Sequence, residues 1–182
     1  MKDNKLELAE VKKVAVEIIT DLNPFCERIA IAGSIRRNRP LVSDIELVVI
    51  PKYEIVPSGF FDTIDTCLLT QHLMRSAKYQ MRLNKNGYRI FGEKNKLMLY
   101  KGVPVDIFTA TEDNWVMLYF IRTGGAATNQ RIAHRAIQVN KALKIYEGGF
   151  LDNATGDIYR VRSEEEIYDI LGLAYEEPHS RA

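Results

Sequence analysis

The stretch GSIRRNRPLVSDIELVVI, residues 33–50, joins chemistries that seldom share one segment. A Gly-Ser pair leads into Arg36, Arg37 and Arg39; then Asp44 and Glu46 open an apolar, β-rich run from Leu47 to Ile50. Charge clusters belong in solvent, and β-branched runs belong in a core. The order predicts a basic turn followed by a strand with two carboxylates at its mouth. Side chains alternate faces along a strand, so Asp44 and Glu46 share one face while Ile45, Leu47 and Val49 share the other. The same alternation over Val103–Phe108 sets Val105 and Ile107 inward and Asp106 on the opposite face. If these two strands are neighbours, three carboxylates converge.

Three such groups repel one another and are costly to desolvate. A divalent cation reverses that cost, and an all-oxygen donor set suits Mg²⁺ or Mn²⁺. Two ions in one cluster can activate an attacking hydroxyl and stabilise a leaving oxygen. The basic turn then has a role. Gly33 lets backbone approach a ligand, Ser34 opens a short helix whose free N–H groups bind phosphate, and Arg36 or Arg37 adds charge-assisted hydrogen bonds. Phosphate on one side and metal on the other describes a nucleoside triphosphate held for attack at its α-phosphorus. Alone, an Asp-x-Glu in a strand is most often surface decoration. The specificity lies in the ordered set on strand, turn and strand. Arg39 reads as a solvated charge.

Outward from this stretch, the apolar spacing of Leu6, Leu8, Val11, Val14, Ala15, Ile18 and Ile19 predicts an amphipathic helix over residues 5–21, ended by Asn23-Pro24. Strands are expected at 28–32, 44–50, 88–91, 96–100 and 103–109, with a weak helix over 60–72 beginning after Ser58-Gly59. Beyond the Lys101-Gly102 turn the pattern changes. Helices are expected at 115–122 and 126–142, broken by Thr123-Gly124-Gly125. A last helix at 163–171 opens with a capping box, Ser163 and Glu166. The fold class is α+β, and strands give way to helices near residues 110–124.

The 182 residues are 46% apolar and 27% charged, an ordinary globular profile. No apolar run reaches 18 residues, so no membrane span is expected. MKDNKLELAE has no apolar core of a secretory signal, and Cys26 and Cys67 form no CxxC; an intracellular, reduced setting is expected. His72, His134 and His179 are too scattered for a zinc pattern. Net charge is only +1, but its distribution is uneven. Residues 75–101 carry Arg75, Lys78, Arg82, Lys85, Arg89, Lys94, Lys96 and Lys101 against Glu93 alone. From Glu147 the balance turns acidic, with Glu164-Glu165-Glu166 and Glu176-Glu177. A polyanion footprint including Lys94 and Lys96 is one reading, and a solvated face is the other. Trp115, at helical spacing from Leu118, reads as core.

Gly33-Ser34, Arg36-Arg37, Asp44-x-Glu46 and Asp106 in this order resemble the nucleotidyltransferase fold. Thr123-Gly124-Gly125 with Asn129, and the ending from Ser163 through Pro178 to Arg181, are similar to the thumb of X-family DNA polymerases, the relatives of DNA polymerase beta. The resemblance runs over roughly residues 8–182. It implies a nucleotidyltransferase palm over residues 1–111, with a mixed β-sheet flanked by helices, and a small helical/β thumb over 112–182. In its terms Asp44, Glu46 and Asp106 hold two Mg²⁺, with Mn²⁺ an alternative, and Asp106 helps deprotonate the primer 3′-hydroxyl. Ser34 and Arg37 hold the triphosphate, and Gly33 belongs to the same turn. Ser43 brings a backbone amide to the triphosphate, Gly124 lies in the turn under the sugar, and Asn129 reaches the incoming nucleotide.

The chain departs from the family at three places. Glu46 stands for the usual Asp, a form common among small-molecule nucleotidyltransferases. Ile121-Arg122 replaces the aromatic pair before Thr-Gly. Ala133 occupies the place of an arginine that reaches template-side DNA, leaving Arg131 and Arg135 beside it as the DNA-contacting candidates. The resemblance implies a minimal palm-and-thumb form without a deoxyribose-phosphate lyase domain. The expected activity is magnesium-dependent addition of deoxynucleotides to a 3′ end in gapped or primed DNA, during short-gap repair. The expected partners are DNA and dNTP, acting on a monomer in the cytoplasm or nucleoid. Two alternatives stay open at this point: a nucleotidyltransferase acting on a small molecule or protein, and an inactive DNA-binding relative.

Overall fold

A computed structural model describes residues 5–58 and 62–182. In chain order it runs β1 (Leu6–Glu7), α1 (Leu8–Leu22), β2 (Cys26–Ile31), α2 (Gly33–Arg36), β3 (Leu41–Val42), β4 (Ile45–Pro51), β5 (Tyr53–Ser58), β6 (Asp62–Cys67), α3 (Leu68–Arg75), β7 (Tyr79–Met81), β8 (Asn95–Tyr100) and β9 (Val103–Thr109). The second half continues with α4 (Trp115–Thr123), α5 (Ala126–Gln138), β10 (Lys141–Lys144), β11 (Gly149–Asp152), β12 (Ile158–Arg160) and α6 (Glu164–Leu171).

A five-stranded mixed sheet, ordered β2-β4-β9-β8-β7, organises the first half. Only β4 and β9 run parallel; the other neighbours are antiparallel. Central strands covered on both faces should read as near-continuous apolar runs, and β4 does. One face carries Ile45, Leu47, Val49, Val105 and Ile107, packed with Val11, Ala15, Ile18 and Leu22 of α1 and Leu69 and Leu73 of α3. The buried α1 residues step by four, three and four, the stripe expected of a helix lying on a core. On the opposite face, Val48, Ile50, Phe108 and Ala110 pack with Trp115 and Leu118 of α4.

The second half has its own core, in which Met117 and Phe120 of α4, Ile132 and Ala136 of α5, and Ile167, Tyr168 and Leu171 of α6 close on Phe150 and Val161. A three-stranded antiparallel sheet, β10-β11-β12, flanks these helices. Ser163 Oγ accepts from the Glu166 N–H at 3.2 Å, and Glu166 Oε2 accepts from the Arg162 N–H at 2.6 Å, so the capping box forms.

Several expectations are corrected. Residues 62–67 are strand, paired with β5 as a hairpin, and the helix is Leu68–Arg75. The β-branched alternation of Thr63, Ile64 and Thr66 finds a strand partner in Tyr53–Ser58, which a local helical spacing cannot anticipate. The expected helix start at Gly59 lies outside the described residues. Residues 88–91 form isolated bridges, Leu83 to Arg89 and Phe91 to Lys96, while the edge strand is Tyr79–Met81. The helix expected to reach residue 142 stops at Gln138; Asn140 is left-handed (φ 57) and Lys141–Lys144 pairs with β11.

Candidate active site

Asp44 stands one residue ahead of β4, and Glu46 is the second residue of that strand. The parallel register sets Glu46 directly against Asp106, so their Cα atoms are roughly 4.8 Å apart across the ladder. Both side chains lie on the face that α4 covers only farther along, over Val48, Ile50, Phe108 and Ala110. The two carboxylates are half-buried at the open end of that face. Burial, with the charges of Asp44 and Asp106 added, pushes the Glu46 carboxyl up to about 7; Arg122 and Arg37 pull the other way. Burial also raises Asp106, against Arg82, whose guanidinium is paired with it.

These groups therefore share a face and feel one another's charge. Among the described residues, however, no three His, Cys, Asp or Glu side chains are gathered closely enough to hold an ion as they stand. The donor set still fits a hard divalent cation. It is all oxygen, and Glu46, raised first by burial, is raised further by the charges of Asp44 and Asp106, which a cation would offset. Arg82 is the competitor that such an ion must displace from Asp106.

Because Glu46 binds its proton more tightly when folded, its contribution to stability is complete below the unfolded value, about 4.3, and is lost as pH rises through about 7. Glu46→Gln in EDTA should therefore melt higher than the wild type at pH 8, by about 5–10 °C. The difference should vanish near pH 4, where both side chains are neutral. Equal melting temperatures across the range, followed by calorimetry, would contradict the burial and repulsion assigned to Glu46.

The turn before β4 presses against this face. Gly33 takes a left-handed backbone (φ +61), and a Cβ there would overlap the Glu46 carboxylate. Gly33→Ala should cost about 1–3 kcal/mol in urea unfolding and displace Glu46; unchanged stability would show that the turn can relax. Beside it, Ser34 Oγ is buried with no hydrogen-bond partner, and so is Arg37 Nε. The Arg37 NH1 group donates to the Thr123 carbonyl. Arg36 donates to Thr123 Oγ1 at 2.8 Å and to both Glu164 oxygens at 2.6 and 3.0 Å, with its guanidinium 3.9 Å from the centre of the Tyr119 ring. The two arginines thus tie the turn before β4 to the Thr123-Gly124-Gly125 turn between α4 and α5.

Within that second turn Asn129 Nδ2 donates to the carbonyls of Ile121 (2.8 Å) and Gly124 (3.3 Å), leaving Asn129 Oδ1 buried without a partner. A Cβ on Gly124 would overlap that Asn129 side chain. Ser43 is exposed, its hydroxyl 3.4 Å from Asp44 Oδ1.

Residues 116–182 match the family model of the DNA polymerase beta thumb. The fold matches the crystal structure of Leishmania infantum polymerase beta in its ternary P/T complex, with a TM-score of 0.70 and 17% identity over 98% of this chain and 77% of that one. The chain thus carries a polymerase beta thumb-like segment on a polymerase beta-like fold. No curated protein matches it by sequence.

The cations expected to face DNA are differently placed. Arg131 is exposed and paired with Glu176 at 2.6 Å. Arg135 is half-buried; its Nε donates to the Leu171 carbonyl at 2.9 Å and its NH1 to Gln138 Oε1 at 3.2 Å. Lys94 is exposed, its ammonium 4.5 Å from the centre of the Tyr146 ring. Lys96 corrects the surface reading: it is 2% exposed and donates to the Gly92 carbonyl at 2.9 Å. The end of the sheet covers it, which a count of basic residues along the chain does not register.

Arg82 and Arg122 were absent from the expected site. Arg82 gave only the signal of a basic segment. Arg122 lies one residue before the Thr-Gly turn, with its guanidinium 3.7 Å from the centre of the Phe108 ring, and its charge bears on both Glu46 and Asp106. No helix among the described residues is long and apolar enough to cross a membrane.

Proposed function

We propose that this chain is a DNA polymerase that adds deoxynucleotides to a DNA 3′-hydroxyl, filling short gaps in repair as a monomer inside the cell. Residues 1–111 act as the palm and 112–182 as the thumb. The observation that carries the reading is the register of Glu46 against Asp106, one turn from the unpartnered Ser34 hydroxyl. The match of residues 116–182 to a polymerase thumb supports it.

Asp44, Glu46 and Asp106 would hold two Mg²⁺, or Mn²⁺ in their place. Bound there, such ions offset the negative charge of the triphosphate and of the attacking oxygen. The residues of the chain do the positioning. Ser34 and Arg37, with Gly33 and the Ser43 amide, orient the triphosphate. Gly124 and Asn129 seat the sugar and base edge, and Arg131, Arg135 and Lys94 meet DNA phosphates. Asp106, once released by Arg82, helps withdraw the proton of the 3′-hydroxyl. The 3′-oxygen then bonds to the α-phosphorus as the bond to the β-phosphate bridge breaks, and pyrophosphate leaves. Positioning and charge neutralisation supply the rate, with no covalent enzyme intermediate.

Extension of a primer across a one-nucleotide gap, with dNTP and Mg²⁺ or Mn²⁺, tests the proposal. Metal-dependent incorporation directed by the template base is expected. Steeply salt-dependent DNA binding without turnover under either metal would identify a non-catalytic binder. Nucleotide transfer to aminoglycoside or protein hydroxyls, with none to a primer, would identify the small-molecule or protein reading.

A further inference from the structure

A second site lies at the far end of the sheet, beyond Ile50 and Thr109. A cavity of about 730 Å³ opens between the far ends of β4 and β9 and the β5–β6 hairpin, within the size range of small-ligand sites. Its walls include the Tyr53 and Tyr146 side chains and Pro51, and its polar lining includes Lys96 and Thr109.

These two residues are placed together by register. Lys96 pairs with Ile107 across β8 and β9, so Thr109, two residues beyond Ile107, is its diagonal neighbour on the same face. Asp106 is on the opposite face, by the same alternation. Lys96 is 2% exposed, and among the described residues its one acceptor is the Gly92 carbonyl at 2.9 Å. An ammonium has three N–H donors, which leaves two without a protein acceptor. Thr109 Oγ1 is buried and has no hydrogen-bond partner. Burial also weakens the hold of Lys96 on its proton. A buried cation and a buried hydroxyl, both short of acceptors, carry a cost that a bound acceptor removes.

The head group follows from the surrounding charges. Asp65, Glu93 and Glu112 line the same cavity against Lys94 and Lys96, a slightly acidic wall that opposes a doubly charged phosphate ester more than a single negative charge. The body follows from Tyr53 and Pro51, flat surfaces suited to a ring, beside Tyr146, one face of which Lys94 covers. We infer that this cavity binds a small aromatic monocarboxylate, its carboxylate accepting from Lys96 Nζ and Thr109 Oγ1 and its ring lying against the tyrosines. The site is independent of the carboxylate face and of the polymerase reading.

Titration of the whole chain with 2-naphthoate, by calorimetry and by ¹⁵N–¹H shifts, tests the inference without metal, nucleotide or DNA. Saturable binding is expected, with shifts at Lys94–Leu97 and Thr109–Thr111. The neutral isostere 2-naphthamide and the dianion 2-naphthyl phosphate should each bind about tenfold more weakly. Lys96→Met should weaken 2-naphthoate about tenfold and Thr109→Val about fivefold, while Asp106→Asn leaves its affinity unchanged. If Lys96→Met fails to fold, the Thr109→Val variant and the amide comparison on the wild type decide the matter. Binding that does not saturate by about 1 mM, equal affinity for the amide, or unchanged affinity in the folded Lys96→Met protein would each overturn it.

Discussion

Under the proposed polymerase function, Asp106→Asn is expected to lower single-nucleotide gap filling by about 10³-fold, the loss that follows when several kcal/mol of charge stabilisation leaves the reacting centre. The amide keeps the shape of the side chain but removes one negative charge from the face that Glu46 shares. It leaves Arg82 without its partner but also relieves repulsion on Glu46; the two effects oppose one another, so melting should change little. Binding of DNA should stay within about threefold of wild type, because phosphate contacts by lysine and arginine dominate that affinity. Arg82→Ala gives the opposite signature: Asp106 is freed, and Mn²⁺ binding, followed by its electron spin resonance, tightens. An Asp106→Asn protein as active as wild type would remove Asp106 from the chemistry and with it the polymerase proposal.

Arg181→Met destabilises the protein by about 3–5 kcal/mol, the usual consequence of stripping one partner from a buried ion pair. Arg181 is fully buried. It donates to Glu164 Oε2 at 2.8 Å and to the Glu176 carbonyl at 2.9 Å, and its guanidinium lies 4.7 Å from the centre of the Phe120 ring. Burial works to raise the Glu164 carboxyl, but Arg36 and Arg181 outweigh it and hold Glu164 below the usual carboxylate range. A depressed carboxylate stabilises the fold above its unfolded value and loses that contribution as pH falls through the folded one. Arg181→Met should therefore narrow the gap between Glu164 and an unfolded carboxylate, and acid unfolding should begin at higher pH. Urea melts at pH 7 and pH 4 measure both effects. A double-mutant cycle with Glu164→Gln should be strongly non-additive; additive losses would mean that Arg181 acts only by packing against its rings.

The pair matters beyond stability, because Glu164 also holds Arg36, and Arg36 holds Thr123. A fault at Arg181 reaches the Thr123-Gly124-Gly125 turn through two ion pairs and one hydrogen bond.

Local pattern carried the reading furthest where its period was unambiguous. The two-residue alternation set Asp44 and Glu46 on one face of residues 44–50 and Asp106 on the face of residues 103–109 opposite Val105 and Ile107; that the two strands are neighbours, with Glu46 in register with Asp106, is what the structure adds. The three-and-four spacing over residues 5–21 found the helix, which runs Leu8–Leu22 because Leu6–Glu7 pairs with Leu41–Val42, and Ser163 with Glu166 marked the start of α6. These features depend on neighbours within a few residues, so the chain states them by itself.

What tertiary structure alone decided are the partners drawn from far along the chain. Arg82 reaches Asp106 across 24 residues, and Arg36 reaches Glu164 across 128. Neither choice has a local signature, since any arginine in a basic segment looks alike in sequence. Lys96 shows the same principle in reverse. Its basic neighbours suggested solvent, yet the packed end of the sheet buries it, because burial is set by which surfaces meet and not by the charge of the residues alongside. The sequence by itself indicated the strands at 28–32, 44–50, 96–100 and 103–109, the alternation of the carboxylates along them, and a thumb-like second half. The folded chain determined which cation guards Asp106, which arginines clasp the thumb turn, and which lysine is withdrawn from solvent, for these are long-range contacts whose free energy exists only once the core has formed.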